Sequence, residues 1–165
     1  MTRLIAIVLF LFYNASANEK SELVFKNSGK NYSKIELIDL NNNKVKISRY
    51  KKDLIIVNFW ATWCTPCIKE IPELLDLEEK FSNKLDVLFI SVGLNPAKDI
   101  SFFLKKNKYK NIDVFIDDDL KISKNVDVSQ IPSTIVLDKS RNEIIRSSGY
   151  IEWNSDEIFK IIESL

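Results

Sequence analysis

Leu54-Ile55-Ile56-Val57-Asn58-Phe59-Trp60 is a near-continuous apolar run, and it limits what the chain can fold into more than any other segment. A strand of this pattern suits burial on both faces, as at the centre of a partly parallel sheet. Soon after it the period changes. Ile68, Ile71, Leu74, Leu75, Leu77 and Phe81 fall at helical spacing with acids and lysines between them, so the pattern predicts a helix over 66–81. Pro72 lies inside that helix and is expected to kink it.

The remaining elements follow an alternating order. Ile35 and Leu37, a turn at Asn41-Asn42-Asn43, and Val45 and Ile47 read as a hairpin. A second buried strand is expected over 85–92, a helix over 96–106, a short strand over 114–116 and a short helix over 120–124. Strands at 134–137 and 143–147 come next, with a turn between them. Asn154 or Ser155 caps a last helix. This order predicts an α/β fold with a mixed sheet. With 165 residues, the chain suits one domain rather than two.

The N-terminus has the layout of a secretory signal over 1–17. Arg3 supplies positive charge, Leu4 to Phe12 an apolar run, and Ala15-Ser16-Ala17 the small residues before a cut at Asn18. The apolar run is shorter than the roughly 20 residues of a spanning helix. An uncut membrane anchor is the alternative. Residues 18–33 are polar and read as a leader with little structure of their own, and 34–165 form the folded domain. The expected location is the periplasm or another extracytoplasmic space, where disulfides persist.

Charge and composition exclude several functions. There are 24 basic and 23 acidic residues, which gives no electrostatic case for nucleic acid as a partner. The chain has two cysteines and no histidine. A Cys–His dyad, a Ser–His–Asp triad and a His-ligated metal therefore have no imidazole to use. Ile68 follows the second cysteine, so the pair is not a haem-attachment motif.

Trp63-Cys64-Thr65-Pro66-Cys67 sits where the buried strand ends and the helix begins. Cys64 falls at or next to the helix N-cap, where unpaired N–H groups and the helix dipole favour negative charge. A thiolate is thereby promoted, and the thiolate is the nucleophile. Cys67 lies one turn further in and is expected to be more buried. Cys64 is thus the attacking thiol and Cys67 the resolving thiol of a disulfide exchange. Pro66 suits the first helical turn. Two other readings compete. A static disulfide closing so short a loop removes little chain entropy. Half a zinc site supplies only two thiolates.

Val57-Asn58-Phe59-Trp60-Ala61-Thr62-Trp63-Cys64-Thr65-Pro66-Cys67, followed by Glu70, Pro72 and Leu74, resembles the TlpA/ResA-like branch of the thioredoxin superfamily. The resemblance implies a thioredoxin-like fold: a mixed central sheet flanked by helices, with an N-terminal β-hairpin extension. Gln130-Ile131-Pro132-Ser133-Thr134 resembles the second active-site loop, which implies a cis Pro132 facing the cysteines. Its role would be to present the Ile131 backbone to a substrate strand. Gln130 stands where many members have glycine. Residues 95–113 match the region where the branch inserts an extra helix and strand.

The resemblance also implies that Glu70 lies near the cysteines and tunes proton transfer to the buried thiol. A solvated helix residue is the competing reading. Asn58 occupies the place of a buried aspartate in cytoplasmic thioredoxins, and a neutral amide cannot act as an acid or base. Candidate catalytic residues are therefore Cys64, Cys67 and Glu70. Candidate substrate-binding residues are Trp63, Thr65, Pro66, Ile131 and Pro132. Trp63 also shields the site, and Trp60 reads as structural.

No cofactor and no metal are expected. Without a histidine between the cysteines, the expected direction is reduction of disulfides in exported proteins. By resemblance, apocytochrome c and copper-delivery proteins are candidate substrates, and a membrane electron carrier of the DsbD/CcdA type is the expected donor. The protein is expected to be a monomer. Two other functions remain open. A thiol peroxidase of the peroxiredoxin type usually has a Pro and a Thr or Ser at fixed offsets before its cysteine, whereas position 61 here is Ala. A non-catalytic apoprotein-binding or chaperone module would use the same loops without turnover.

Overall fold

In a computed structural model, every residue of the strand Leu54–Trp60 is buried, and among the described residues this strand is the fourth of eight in one sheet. The structure describes residues 21, 23–25 and 29–165. The expected signal over 1–17 lies outside the described residues.

The strands are β1 (Val24–Phe25), β2 (Glu36–Asp39), β3 (Lys44–Lys46), β4 (Leu54–Trp60), β5 (Leu85–Val92), β6 (Asp113–Asp117), β7 (Ser133–Leu137) and β8 (Glu143–Ser148). Their order across the sheet is β1-β8-β7-β4-β5-β6-β2-β3. β4, β5 and β6 run parallel, and β7, β8 and the β2–β3 hairpin run antiparallel to their neighbours. The mixed sheet expected from the element order is thus present. The helices are α1 (Thr65–Lys80), α2 (Ala97–Lys106), α3 (Lys121–Asn125) and α4 (Asp156–Ser164).

Alternation along the central strands divides the core into two layers. Leu54, Ile56 and Trp60 of β4 and Leu85, Val87 and Phe89 of β5 face α1, α2 and α4, packing with Ile71, Leu74, Leu77, Ile100, Ile158 and Ile162. Ile55, Val57, Phe59, Leu88 and Ile90 point the other way, toward Leu37, Ile47 and Val126. Each fully buried aliphatic side chain contributes roughly 1.5–3 kcal/mol of transfer free energy. α1 is one unbroken helix of 16 residues through Pro72, which lies on its exposed side. Ser155, one of the two residues expected to cap α4, accepts the Ile158 amide through its side chain.

The hairpin forms at the expected place, with Asn42 at φ 65° in its turn, a backbone state that asparagine tolerates. It is also a structural part of the sheet, because β2 pairs with β6. Residues 18–33 were expected to have little structure of their own, and their described part corrects that. Val24 and Phe25 pair with β8, and the Tyr32 amide donates to the Arg141 carbonyl at 2.8 Å. Tyr32 is buried, and its hydroxyl donates to Glu143 Oε2 at 2.7 Å. The cause is an aromatic ring with a polar tip, which gains from burial once the hydroxyl has a partner. Among the described residues, no helix is long and apolar enough to cross a membrane.

Candidate active site

The parallel strand β4 ends at Trp60, and four residues later Cys64 is the N-cap residue of α1, with φ −90° and ψ 98°. Its carbonyl accepts the Ile68 amide at 3.0 Å, as an N-cap residue should. Pro66 lies in the first turn, which contains no acid to oppose a negative sulfur. Cys64 and Cys67 form a disulfide with their Cα atoms 5.2 Å apart. Cys67 is completely buried, whereas Cys64 is 6% exposed. The more accessible cysteine is therefore the one at the helix tip. Thr65 and Pro66 between them are exposed, and Trp63 is 68% exposed.

The flanking strands bring two further loops to this end of β4. β7 runs antiparallel to β4 with Ser133 opposite Phe59, which sets Pro132 beside the end of β4. The Ile131–Pro132 bond is cis, as the resemblance implies. Pro132 is buried and Ile131 half-buried. On the other side, β5 continues into Asn95, whose Oδ1 accepts the Thr62 hydroxyl at 2.8 Å. This bond ties the segment before the cysteines to the β5–α2 loop.

Glu70 is completely buried, so the solvated-residue reading of it does not hold. Asn58 Nδ2 donates to its Oε2 at 2.9 Å, and the Ile151 amide donates to its Oε1 at 2.8 Å. Asn58 also donates to Thr134 Oγ1 at 2.9 Å, so β4, β7 and α1 meet in one polar contact. Burial raises the Glu70 carboxyl from its usual value to about 7. The hydrogen bonds from Ile151 and Asn58 and the neighbouring Trp153 indole pull it down, and Glu73 pushes it further up. A carboxyl poised near neutrality one helical turn from Cys67 is able to accept and return a proton.

Helical spacing from Cys67 leads to Glu70 and then to Glu73, a residue that the sequence pattern does not single out. Glu73 is buried and accepts the Tyr150 hydroxyl at 2.7 Å and the Trp153 amide at 3.1 Å. The signal for it was the i, i+3, i+6 spacing on the face that carries the cysteine. Its partners in the loop after β8 have no sequence mark.

The profile of the AhpC/TSA family matches residues 28–147. The chain belongs to the AhpC/TSA family. Among the family's relatives of this chain, the thiol–disulfide oxidoreductase ResA of Bacillus subtilis is 28% identical over 134 residues, covering 81% of this chain and 73% of ResA. A DsbF homologue from Corynebacterium diphtheriae shares the fold with a TM-score of 0.73 at 23% identity, over 93% of this chain and 98% of that one. The exposed lipoprotein thioredoxin Etrx1 of Streptococcus pneumoniae does so with a TM-score of 0.67 at 24% identity, over 79% and 98%. This AhpC/TSA protein is therefore a TlpA/ResA-like member of the thioredoxin superfamily. It is a protein thiol–disulfide oxidoreductase, with Cys64 and Cys67 as its redox pair.

Proposed function

We propose that this oxidoreductase works as a reductant of disulfides in extracytoplasmic proteins. The observation that supports this most is the placement of the two sulfurs: Cys64 at the tip of α1, Cys67 fully buried behind it, and a buried carboxyl raised to about 7 one turn further along. No histidine is present to stabilise a reduced thiolate pair and so make the protein a strong oxidant.

The reaction balances as two thiol–disulfide exchanges. The Cys64 thiolate attacks one sulfur of the substrate disulfide, and the first substrate thiolate leaves. The Cys67 thiol passes its proton to the Glu70 carboxylate. The Cys67 thiolate then attacks the Cys64 sulfur, which releases the second substrate thiolate and forms the Cys64–Cys67 disulfide. Two electrons have passed from the pair to the substrate, and a dithiol donor must restore the pair. In this reading Ile131 and Pro132 offer backbone to a substrate strand, and Trp63, Thr65 and Pro66 form the exposed rim around Cys64.

The N-terminal sequence supports export, and the resemblance to TlpA/ResA-like proteins suggests a donor and substrates. A signal over 1–17 would deliver the chain across the membrane as a monomer, with a carrier of the DsbD/CcdA type as donor. Apocytochrome c or copper-delivery proteins would be its substrates. The Streptococcus pneumoniae neighbour is described as an exposed lipoprotein, which agrees with such a location.

The deciding experiment is the reduction potential of the Cys64–Cys67 couple with an insulin-reduction assay. A value in the thioredoxin range, about −270 mV, and turnover that depends on Cys64 support the reading. A value near that of strong oxidants, about −120 mV, overturns the direction. Peroxide consumption lost in a Cys64→Ser variant would favour a peroxidase, and partner binding without Cys64-dependent turnover would favour a binding module.

A further inference from the structure

The loop from Gly149 to Trp153 touches both halves of the active site. Gly149 leaves β8 at φ 89°, a backbone state that favours glycine, and its amide donates to the Pro132 carbonyl at 2.8 Å. Two residues on, the Ile151 amide donates to Glu70 Oε1 at 2.8 Å. One end of the loop therefore holds the cis-proline segment, and its middle holds the buried acid beside Cys67.

Glu73 fixes this loop to α1. Its Oε1 accepts the Tyr150 hydroxyl and its Oε2 accepts the Trp153 amide, the residues on either side of Ile151 and Glu152. Lys69 Nζ lies 4.0 Å from the centre of the Tyr150 ring, which closes the clamp on its solvent side. We propose that Glu73 is a positioning residue for the reaction at Cys64 and Cys67: by gripping Tyr150 and Trp153, it holds the Ile151 amide on Glu70 and the Gly149 amide on Pro132. This inference rests on the reading of Glu70 and Pro132 given above and names the residue that aligns them.

The groups that face Glu70 come from each element packed around it. Asn58 is on β4 and reaches Thr134 on β7, Ile151 and Trp153 are on the loop, and Glu73 is on α1. Glu152 and Lys69 act on the outer side of the clamp, around Tyr150 and Glu73. Glu73 influences Glu70 in two opposed ways. Its charge disfavours the Glu70 carboxylate, and its grip on the loop brings the amide that favours it.

Two variants separate these effects. Glu73→Gln and Glu73→Ala both remove the charge. Glutamine still accepts the Trp153 amide through its oxygen, and its NH2 group can donate to the Tyr150 hydroxyl oxygen. Alanine releases both. The titration midpoint of Glu70 is read by carbon-13 NMR of its carboxyl in the oxidised full-length protein, with no substrate present. The expected midpoint is higher in Glu73→Ala than in Glu73→Gln by about half a pH unit or more. Expected kcat/KM for a protein disulfide is about ten-fold lower in Glu73→Ala than in Glu73→Gln, while Cys64 alkylation is equally fast in both.

Equal midpoints, or unequal midpoints with equal kcat/KM, overturn the proposal. If Glu73→Ala does not fold, Tyr150→Phe is compared with wild type, because it loosens the clamp and keeps the charge. A raised midpoint is then expected, and an unchanged one overturns the proposal. A wild-type protein that reduces no disulfide while the midpoints still differ overturns the reductase reading and leaves the clamp standing.

Discussion

Asn58 Nδ2 donates to Glu70 Oε2 at 2.9 Å, joining the centre of the sheet to the helix that carries both cysteines. Asn58 cannot ionise, so the pair holds one titratable group. Burial then decides its behaviour and raises Glu70 to about 7.

That shift makes folding stability depend on pH. In the unfolded chain Glu70 titrates near its ordinary value, 4.5, so between there and about 7 the folded protein keeps a proton that the unfolded chain has released. Stability is therefore greatest below the lower value and falls as pH rises through this window. The full difference is at most about 3 kcal/mol, from 1.36 kcal/mol per unit. Urea unfolding of the oxidised protein at about pH 4.5 and about pH 8 should show this loss in wild type, and Glu70→Gln should remove it.

Asn58→Asp would place a second carboxyl against Glu70. Two such groups cannot both ionise in one buried contact, so the pair should retain a shared proton at neutral pH. The variant should unfold more easily than wild type at about pH 8, by about 3 kcal/mol or more, and the gap should narrow in acid. Urea titrations at both pH values check this.

Trp63→Ala tests the exposed rim. The indole is 68% exposed, so stability should change by no more than about 0.5 kcal/mol. Steady-state kinetics with a protein disulfide should show a raised KM with kcat little altered. An unchanged KM would remove Trp63 from the substrate contacts.

Tyr32→Phe tests how the N-terminal segment is attached. The hydroxyl donates to Glu143 Oε2, and Arg146 also donates to both Glu143 oxygens, at 2.7 and 2.9 Å. Glu143 would keep its partner, so the variant should lose only about 1 kcal/mol by urea unfolding.

Much of the fold was legible because the strongest signals were physical ones of long reach. The apolar run over 54–60 suited a buried strand, and the period change after it placed Cys64 at or next to the helix cap, where the structure has it. Glu70 was legible as a residue on the Cys67 face, but its burial was not, since spacing alone does not say what covers that face. The cover is the loop Gly149–Trp153, whose hydrogen bonds to Glu70, Glu73 and Pro132 join segments distant in sequence. Tyr32 was hidden for the same reason. Its segment is polar, and the one aromatic ring that anchors it has its partner at Glu143.

In the proposed exchange the sulfur at the helix tip is the reactive one, and its neighbour is held back by burial. Alkylation of the reduced protein at neutral pH, with the modified cysteine identified by peptide mass spectrometry, tests it directly. Cys64 should be modified first, with Cys67 much slower. Modification of Cys67 ahead of Cys64, or of neither, would contradict the account.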